Sequence, residues 1–369
     1  MSRKILIAVS DYPNNESHVS LMYVHTRNKK YFAEGLDIVV LNFSAKMDYT
    51  IEGIEVKAPQ KNLIKEGDYD ILICHAPNLR NHYKFLILNK HKFSKIIFFF
   101  HGREILDTGK VYPKPYKYKQ KKFLNSIFSK CYDILKIKLW RNYFINERNI
   151  SDFVFVSNSL YEEFLEHMKV RKNDLKGQVN VISNNVGEIF EIEKYETNAV
   201  KKYDFITIRN YLDGSNYGVD IVNNLAKANS DLKFLILGKG DFFLYNTKPT
   251  NVIWLEGNFP HENLLEYINS SKCGLMPTRR DTQGVMTCEL LTFGIPVITS
   301  NIAICKEVFS GFENVAFIEN DDKSINLEPI LKKLSLQYSP IKQEKYYSKN
   351  TVSKEIELIK MRLEEALDE

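Results

Sequence analysis

The chain has 369 residues, which is too long for one ordinary domain and suits two domains of about 150–200 residues each. Apolar residues make up 44% and charged residues 26%, an ordinary globular composition that excludes a disordered or collagen-like chain. The five cysteines are scattered without a CxxC pair, which excludes a disulfide framework or a cysteine-based zinc site and indicates a reducing compartment.

The net charge of +5 is unevenly distributed along the chain. Residues 1–150 contain 26 Lys and Arg against 14 Asp and Glu, whereas residues 151–369 contain 25 against 32. A basic first half indicates an anionic partner, such as phospholipid headgroups, nucleic acid or a phosphorylated substrate. No apolar run approaches the ~20 residues that a transmembrane helix needs, and the N-terminal stretch predicts no signal peptide.

In the first half, short β-branched or aromatic runs alternate with amphipathic stretches. The predicted strands are Lys4–Val9, Asp37–Phe43, Asp70–Cys74, Lys95–Phe100, Asp152–Val156 and Val179–Ile182. The predicted helices between them are His18–Gly35, Asn78–Asn89 and Asn158–His167. The continuous apolar character of IIFFF and FVFV is typical of strands that are covered on both faces, and hence of a parallel sheet.

A polar segment without periodicity, Gly187–Tyr203, predicts a linker, after which the alternation restarts. The predicted strands are Asp204–Ile208, Leu232–Leu237, Asn251–Trp254, Cys273–Met276 and Pro296–Thr299, and the helices are Tyr217–Asn229, Glu262–Asn269 and Gly284–Phe293. Two such series predict an α/β protein with two doubly wound, Rossmann-like domains that face each other across a cleft. A charged last helix, Lys349–Leu367, could fold back across the linker.

The segment MPTRRDTQGVMTCELLTFGIPVITSN, which starts at Met276, carries the most information about function. Gly284 opens a helix after a polar loop, and such a helix end offers free N–H groups and a positive dipole end to a pyrophosphate or a sugar hydroxyl. Asp281 precedes this end, and Glu289 follows about 1.4 turns into the helix. One ligand could therefore contact Asp281 at its sugar end and Glu289 at its ribose end.

This segment resembles a known family. DTQGVMTCE resembles the E-G-F-G-x-x-x-x-E signature of retaining glycosyltransferase family 4, and LLTFGIPVITS resembles that family's EAMAxGxPVVxS. The resemblance implies the GT-B fold and places sugar-hydroxyl binding on Asp281 and ribose binding on Glu289. Gly284 would be the backbone donor, with Gln283 and Val285 beside it at the donor. The family's first acid is Glu, one methylene longer, so the donor sugar is not specified.

Two further segments resemble the same family. ITIRNYLDGSNYGVD resembles G-R-L-x-x-x-K-G-x-D, whose Arg and Lys bind the donor diphosphate. Arg209 matches this Arg, and a planar guanidinium suits bidentate phosphate binding. Tyr217 stands at the Lys position, so Arg279 or Arg280 is the expected replacement, with pairing to nearby acids as the alternative.

LILGKGD resembles the family's VxGxGP loop, in which Gly238 and Gly240 would let the backbone approach the nucleotide. In the first half, FFFHGRE resembles the family's HGxE/HD motif. The resemblance implies that His101 approaches the donor sugar and acceptor, and Glu104 and His18 are expected on the acceptor side. The alternative for a lone histidine is a structural role.

A basic segment with an apolar stripe runs from Lys114 to Arg148. It contains eight Lys and two Arg against two acids, and its stripe at helical spacing comprises Leu124, Phe128, Cys131, Leu135 and Leu139. Trp140, Tyr143 and Phe144 add aromatic side chains suited to a bilayer interface. This pattern predicts a helix on an anionic membrane surface, and packing on the first domain is the alternative. No nucleic-acid motif accompanies the charge.

The leading hypothesis is a metal- and cofactor-independent glycosyltransferase, cytoplasmic and peripheral on the inner face of the cell membrane. It would transfer a hexose or N-acetylhexosamine from a UDP- or GDP-sugar to a lipid-linked or growing surface polysaccharide, with His101, Asp281 and Arg209 as catalytic residues. Residues 1–188, with a membrane-facing helix at about 118–148, would bind the acceptor, residues 189–345 the donor, and residues 346–369 would form the last helix. The alternatives are a sugar-nucleotide epimerase or hydrolase of the same fold and a catalytically silent, membrane-docking subunit.

Overall fold

The computed structural model describes residues 4–14, 20–60, 64–120, 123–175, 178–337 and 342–368. The chain folds into two compact units. The first unit comprises Met1–Val111, Ile127–Asn185 and Ser348–Glu369, and the second comprises Tyr112–Ser126 and Val186–Tyr347.

Each unit contains one sheet. The first has the order β3-β4-β2-β1-β5-β6-β7-β8, with strands β1 (Lys4–Val9), β2 (Asp37–Asn42), β3 (Tyr49–Ile51), β4 (Ile54–Lys57), β5 (Ile71–His75), β6 (Lys95–Phe100), β7 (Ser151–Phe155) and β8 (Val179–Val181). The second has the order β11-β10-β9-β12-β13-β14, with strands β9 (Tyr203–Tyr211), β10 (Phe234–Lys239), β11 (Val252–Leu255), β12 (Ser271–Met276), β13 (Val297–Ser300) and β14 (Val315–Ile318). Every described pairing is parallel except β3 with β4.

Helices connect the strands of both sheets. They are α1 (Met22–Ala33), α2 (Lys84–Asn89, continuing a π-helical turn at Leu79–Tyr83), α3 (Thr108–Val111), α4 (Phe123–Asn146), α5 (Asn158–Met168), α6 (Glu188–Ile192), α7 (Val219–Ala228), α8 (Phe242–Tyr245), α9 (His261–Asn269), α10 (Val285–Phe293), α11 (Ala303–Phe309), α12 (Leu327–Gln337) and α13 (Val352–Asp368). The alternation confirms the predicted α/β class with two parallel sheets. None of the helices in the described ranges is both long and apolar enough to cross a membrane.

The central strands have a core on each face of the sheet. In β6, Ile96, Phe98 and Phe100 lie in one core cluster, while Ile97 and Phe99 lie in another. Successive side chains of a strand point to opposite faces, so this division means that both faces are covered. The uninterrupted apolar run of β6 is the consequence, as the sequence predicted.

The last helix belongs to the first unit, where a buried ion pair holds it. Glu355 of α13 accepts a hydrogen bond from Tyr31, and its Oε1 lies 3.3 Å from Nη2 of Arg27, which is fully buried. The same Nη2 donates to Oδ1 of Asn184 at 2.8 Å. Since a buried charge without a partner is strongly destabilising, this network holds α1 and α13 together and links them to Asn184, near the end of the segment Ile127–Asn185.

Helix α4 has two distinct faces. Trp140, Tyr143 and Phe144 are buried in the first unit's core, so the prediction that they lie at a bilayer interface is wrong. Their large rings pack against the aromatic side chains of β6 and β7. Burial in this core stabilises the rings more than contact with a headgroup layer would. The first half of the helix differs, because Phe128 is 71% exposed, and Leu135, just after this half, is 51% exposed.

The division of the chain differs from the predicted first domain of residues 1–188. Residues 112–120, which we call the strap, lie in the second unit. The strap has the sequence YPKPYKYKQ, and its rings of Tyr116 and Tyr118 pack against Phe242 and Tyr245 of α8. Such a non-periodic segment carries no sequence signal for aromatic partners more than 100 residues away in the chain.

His82 is a buried histidine of the first unit whose burial makes the stability of the fold depend on pH. It is fully buried, its Nε2 lies 3.1 Å from the carbonyl oxygen of Ala8, and its Nδ1 accepts the N–H of Asn78 at 3.3 Å. Burial lowers the pKa of His82 to about 4. Below the ordinary histidine pKa of about 6.5 the unfolded chain therefore binds a proton that the folded chain does not.

We expect the free energy of unfolding to fall as the pH is lowered from about 6.5 to about 4, with His82 contributing up to about 1.4 kcal/mol per pH unit. His82→Gln should make this slope shallower by that amount, measured by urea unfolding at several pH values. His91→Gln, a change at an exposed histidine, is the control and should leave the slope as in the wild type. Equal slopes for wild type and His82→Gln would contradict the prediction.

Candidate functional site

Arg209 is a buried cation near the end of β9. Its side chain is 7% exposed, Nη2 donates to the carbonyl oxygen of Pro277 at 2.8 Å, and the guanidinium lies 5.5 Å from the ring centre of Tyr217. Nε has no hydrogen-bond partner among the described residues. Burial lowers the pKa of Arg209, while the charge of Asp281 acts in the opposite direction. A buried guanidinium with an unused donor suits an anionic ligand.

The loop before α10 is held by Asp281. Its Oδ1 accepts the N–H of Thr282 at 2.8 Å and that of Gly284 at 3.0 Å. Gly284 is the N-cap residue of α10 with a φ of 76°, a left-handed conformation that favours glycine. The positive end of α10 is thus formed beside Asp281, as the sequence predicted, with Val285 as the first residue of the helix.

Glu289 lies in α10 and is 3% exposed. Its Oε1 accepts the N–H of Gly187 at 3.0 Å and lies 3.6 Å from Nε2 of His261, and burial raises the pKa of this carboxyl. A Cβ atom at Gly187 would lie 2.6 Å from Nδ1 of His261, so the three residues fit closely. Sequence reasoning missed His261 and Gly187, because no motif marks them beyond their positions at the start of α9 and α6.

Residues 238–240, at the end of β10 and directly after it, are called the glycine loop, and at Gly238 this loop passes directly over the backbone of β9. At Gly238, with φ 145°, a Cβ atom would lie 1.9 Å from the carbonyl oxygen of Arg209. At Gly240, with φ 142°, it would lie 3.0 Å from Oδ2 of Asp213. The register between β9 and β10 shifts between Leu237 and Lys239. The structure therefore places Gly238 against the backbone of Arg209 and Gly240 against the side chain of Asp213.

The other predicted donor residues have internal partners. Arg279 makes a bidentate pair with Asp220, at 2.7 Å and 2.6 Å. This is the pairing with a nearby acid that was the alternative to diphosphate binding. The guanidinium of Arg280 lies 5.8 Å from the ring centre of Tyr112. Gln283 is buried, with Nε2 3.8 Å from Sγ of Cys288.

In the first unit, His101 follows β6 and pairs with a second histidine. Its Nε2 lies 3.3 Å from Nδ1 of His75, the last residue of β5, and the edge of the ring meets Tyr23 at a centroid distance of 4.8 Å. Burial, followed by the charge of Arg27, lowers the pKa of His101 well below its usual range. His75 was missed, because the predicted strand ended one residue earlier, although the strand-end argument used for His101 applies to it equally.

Glu104 stabilises the loop that carries His101. Its Oε1 accepts the backbone N–H of His101 and that of Gly102, the latter at 2.9 Å. The carboxylate is thus engaged by its own loop, and burial raises its pKa. His18, the third residue expected on the acceptor side, lies outside the described residues.

Part of the second unit is similar to a known protein family. Residues 206–333 match the family model described as Glycosyl transferases group 1, a range that contains Arg209, both loop glycines, Asp281 and Glu289. No curated protein sequence matches the chain.

Solved structures match over nearly the whole chain. Sucrose-phosphate synthase from Thermosynechococcus elongatus has a TM-score of 0.72 and 12% identity, over 97% of this chain and 98% of that one. HepE from Anabaena, solved in complex with UDP and glucose, has a TM-score of 0.63 and 11% identity, over 98% and 100%. WaaG, a glycosyltransferase involved in lipopolysaccharide biosynthesis, has a TM-score of 0.58 and 12% identity, over 90% of each chain. At these identities the likeness shows the fold.

The fold and the family match define the class of protein: it is a glycosyltransferase of the GT-B type. Residues 206–333, in the second unit, match the model of the family Glycosyl transferases group 1. The resemblance found in the sequence motifs is confirmed at the level of this broader family.

Gly238→Ala should destabilise the protein by at least about 2 kcal/mol, because the new Cβ would need space occupied by the carbonyl oxygen of Arg209 and a left-handed backbone. Gly311→Ala is the matched control, since a Cβ there meets no atom within 4 Å. The measurement is denaturant unfolding of both variants. Equal stability of the two would show that the loop is not packed as described.

Proposed function

We propose that the protein transfers a hexose or N-acetylhexosamine, with retention and without a metal ion, from a UDP- or GDP-sugar to a lipid-linked or growing surface polysaccharide. The observation that carries this proposal is the buried guanidinium of Arg209, whose Nε lacks a hydrogen-bond partner among the described residues. The complex of HepE with UDP and glucose, and the role of WaaG in lipopolysaccharide biosynthesis, support this choice of donor and acceptor.

Stabilisation of the leaving diphosphate is the main catalytic task in this proposal. Positive groups fixed in advance where negative charge develops lower the barrier, because they need no reorganisation during the reaction. Arg209 would supply a charged donor, and Gly284 at the start of α10 would supply backbone N–H groups and the positive helix end. No covalent nucleophile is assigned.

The remaining roles follow from which side-chain atoms are already engaged. Oδ1 of Asp281 holds its own turn, so Oδ2 would bind hydroxyls of the donor sugar. Oε1 of Glu289 is bound to Gly187, so Oε2 would accept from the ribose. His101, in the first unit, would contact the sugar as a neutral imidazole, since its pKa is well below the usual range.

We expect Arg209→Lys and Asp281→Asn to lower kcat/KM at least about 100-fold, because each removes charge or bidentate geometry from the transition state. Release of nucleoside diphosphate is measured with UDP-, GDP- and dTDP-sugars, with and without an envelope lipid extract as acceptor. The thermal stability of Asp281→Asn should change little, since the new side-chain amide keeps an oxygen that accepts the turn's N–H groups.

Matched controls separate catalysis from turn geometry. Asp322→Asn alters a similar turn, in which Oδ1 of Asp322 accepts from the N–H and hydroxyl of Ser324, and it should leave turnover unchanged. Arg171→Lys, at an exposed ion pair with Asp174, is the control for Arg209. Turnover without any acceptor would favour an epimerase or hydrolase, and nucleotide binding without turnover would favour a silent subunit.

We also propose that the first half of α4 docks on an anionic membrane surface at the cytoplasmic face. Exposed apolar side chains recur at Phe128 and Cys131 in this half and at Leu135 just after it, and the exposed basic residues Lys130 and Lys138 lie near them in the sequence. A helix with this composition lies in the interface, with each basic side chain contributing about 1 kcal/mol.

Phe128→Asp should reduce binding to phosphatidylglycerol-containing vesicles at least about tenfold in a sedimentation assay, because the change buries a charge among lipid chains. Leu336→Asp, at an exposed leucine in α12 of the second unit, is the control and should bind as the wild type does. High salt should weaken the wild-type binding. Equal binding to neutral vesicles, or no effect of Phe128→Asp, would contradict the membrane proposal.

A further inference from the structure

The strap is an unusual feature of the second unit. The chain leaves the first unit after Val111, contributes residues 112–126 to the second unit and returns at Ile127. Within the strap, Tyr116, Tyr118 and Lys119 make hydrogen bonds or ion pairs to carboxylates of the second unit. The proposed function assigns no role to these contacts.

Asp213 is the carboxylate on which most of these contacts converge. It is 4% exposed, and both of its oxygens lie 3.0 Å from the backbone N–H of Asp241, directly after the glycine loop. The hydroxyl of Tyr118 donates to Oδ1 at 2.8 Å. Nζ of Lys119 lies 3.1 Å from Oδ2 and 2.8 Å from Oδ2 of Asp241. The strap thus supplies the cation for a buried anion.

The electrostatics show that the strap's donors are needed. Burial on its own raises the pKa of Asp213, but the hydrogen bonds from Asp241 N–H, Tyr118 and Lys119 outweigh it and lower the pKa. If Lys119 lost its charge while the strap stayed in place, the carboxylate would be a buried charge lacking its cation, which is strongly unfavourable. A Cβ at Gly240 would lie 3.0 Å from Oδ2 of Asp213, so the carboxylate packs closely against the backbone here, and its hydrogen bonds from the N–H of Asp241 couple its position to that of the glycine loop.

A second anchor fixes the middle of the strap. The hydroxyl of Tyr116 donates to Oδ1 of Asp220 at 2.8 Å, and this carboxylate also holds Arg279. The rings of Tyr118 and Tyr245 stack at a centroid distance of 4.4 Å with an angle of 7°. Two hydrogen-bonded anchors and an aromatic stack give the strap a defined position on the second unit.

We propose that Tyr118 and Lys119 are positioning residues of the nucleotide site: through Asp213 they hold loop 238–241 against Arg209 and so set the affinity for the diphosphate of the donor. The inference rests on the proposed function, since it assumes that this loop and Arg209 bind a nucleoside diphosphate. It extends that function by assigning an effect on donor affinity to the strap. In the sequence, the strap lies between two segments that belong to the first unit.

The test is the affinity of the full chain for UDP, GDP and dTDP, measured by calorimetry. Tyr118→Phe and Lys119→Met should each weaken binding of the preferred nucleotide about tenfold, which corresponds to about 1.4 kcal/mol. Lys119→Arg, which keeps the cation, should restore most of the affinity. Tyr267→Phe, a change of the same kind on α9, should bind as the wild type does.

Kinetics distinguish positioning from general destabilisation. We expect the strap variants to raise the KM for the donor while kcat and the KM for the acceptor stay within about twofold. A merely structural role would instead lower the amount of active protein and reduce the apparent kcat with the donor KM unchanged.

Proteolysis gives a readout that needs no variant. Lys117 is exposed and followed by Tyr118, so trypsin can cut the strap there, and the preferred nucleotide should slow this cut in the wild type. If the wild type binds a nucleotide but the variants bind it equally well, or the cut is not slowed, the strap inference is overturned and the proposed function stands. If the wild type binds none of the three nucleotides, both are overturned.

Discussion

The close passage of the glycine loop over the backbone of Arg209 is the constraint on which the second unit's site depends. The chain at Gly238 lies so near the carbonyl oxygen of Arg209 that no side chain fits between them. This contact accompanies the shift of register between β9 and β10, and it sets the loop against the end of β9. Asp241 comes directly after the loop, and its N–H donates to the carboxylate of Asp213. The position of the loop therefore also determines the position of the carboxylate that binds the strap.

Three carboxylates of the second unit have hydrogen-bond or ion-pair partners, whereas the buried guanidinium of Arg209 has an unused donor within the described ranges. Asp281 is satisfied by backbone N–H groups, Asp220 by Arg279, and Asp213 by the strap and the loop. Arg209 has a carbonyl oxygen as its hydrogen-bonded partner and keeps an unused donor at Nε among the described residues. A buried cation near a helix N-terminus is costly to maintain without an anion, so an anionic ligand there would lower the energy of the unit.

The sequence was most informative where periodicity and strand ends determine structure. Strands β1 and β6 coincide with their predictions, and Gly238, one of the two glycines singled out by motif, lies against the backbone of Arg209. Helix α4 shows the limit, because its apolar residues lie on two sides and periodicity does not tell which side faces the core. The strap shows another limit of sequence-based prediction, since its tyrosines and lysine contact carboxylates that are distant in the chain, and no local pattern indicates these contacts. Likewise, the hydrogen bond from the N–H of Gly187 to Glu289 depends on the path of the backbone, and no pattern in the sequence predicts it.

The two neutral histidines of the first unit bear on how the proposed reaction would divide its tasks. Burial lowers the pKa of both His75 and His101 well below the usual range, and a single N–H joins the two rings. A neutral imidazole at neutral pH can orient a hydroxyl by hydrogen bonding, but it holds no extra proton to donate to a leaving group. The leaving group of this reaction is a diphosphate, which needs positive charge more than it needs a proton. In the proposed reaction this stabilisation would come from the buried guanidinium of Arg209.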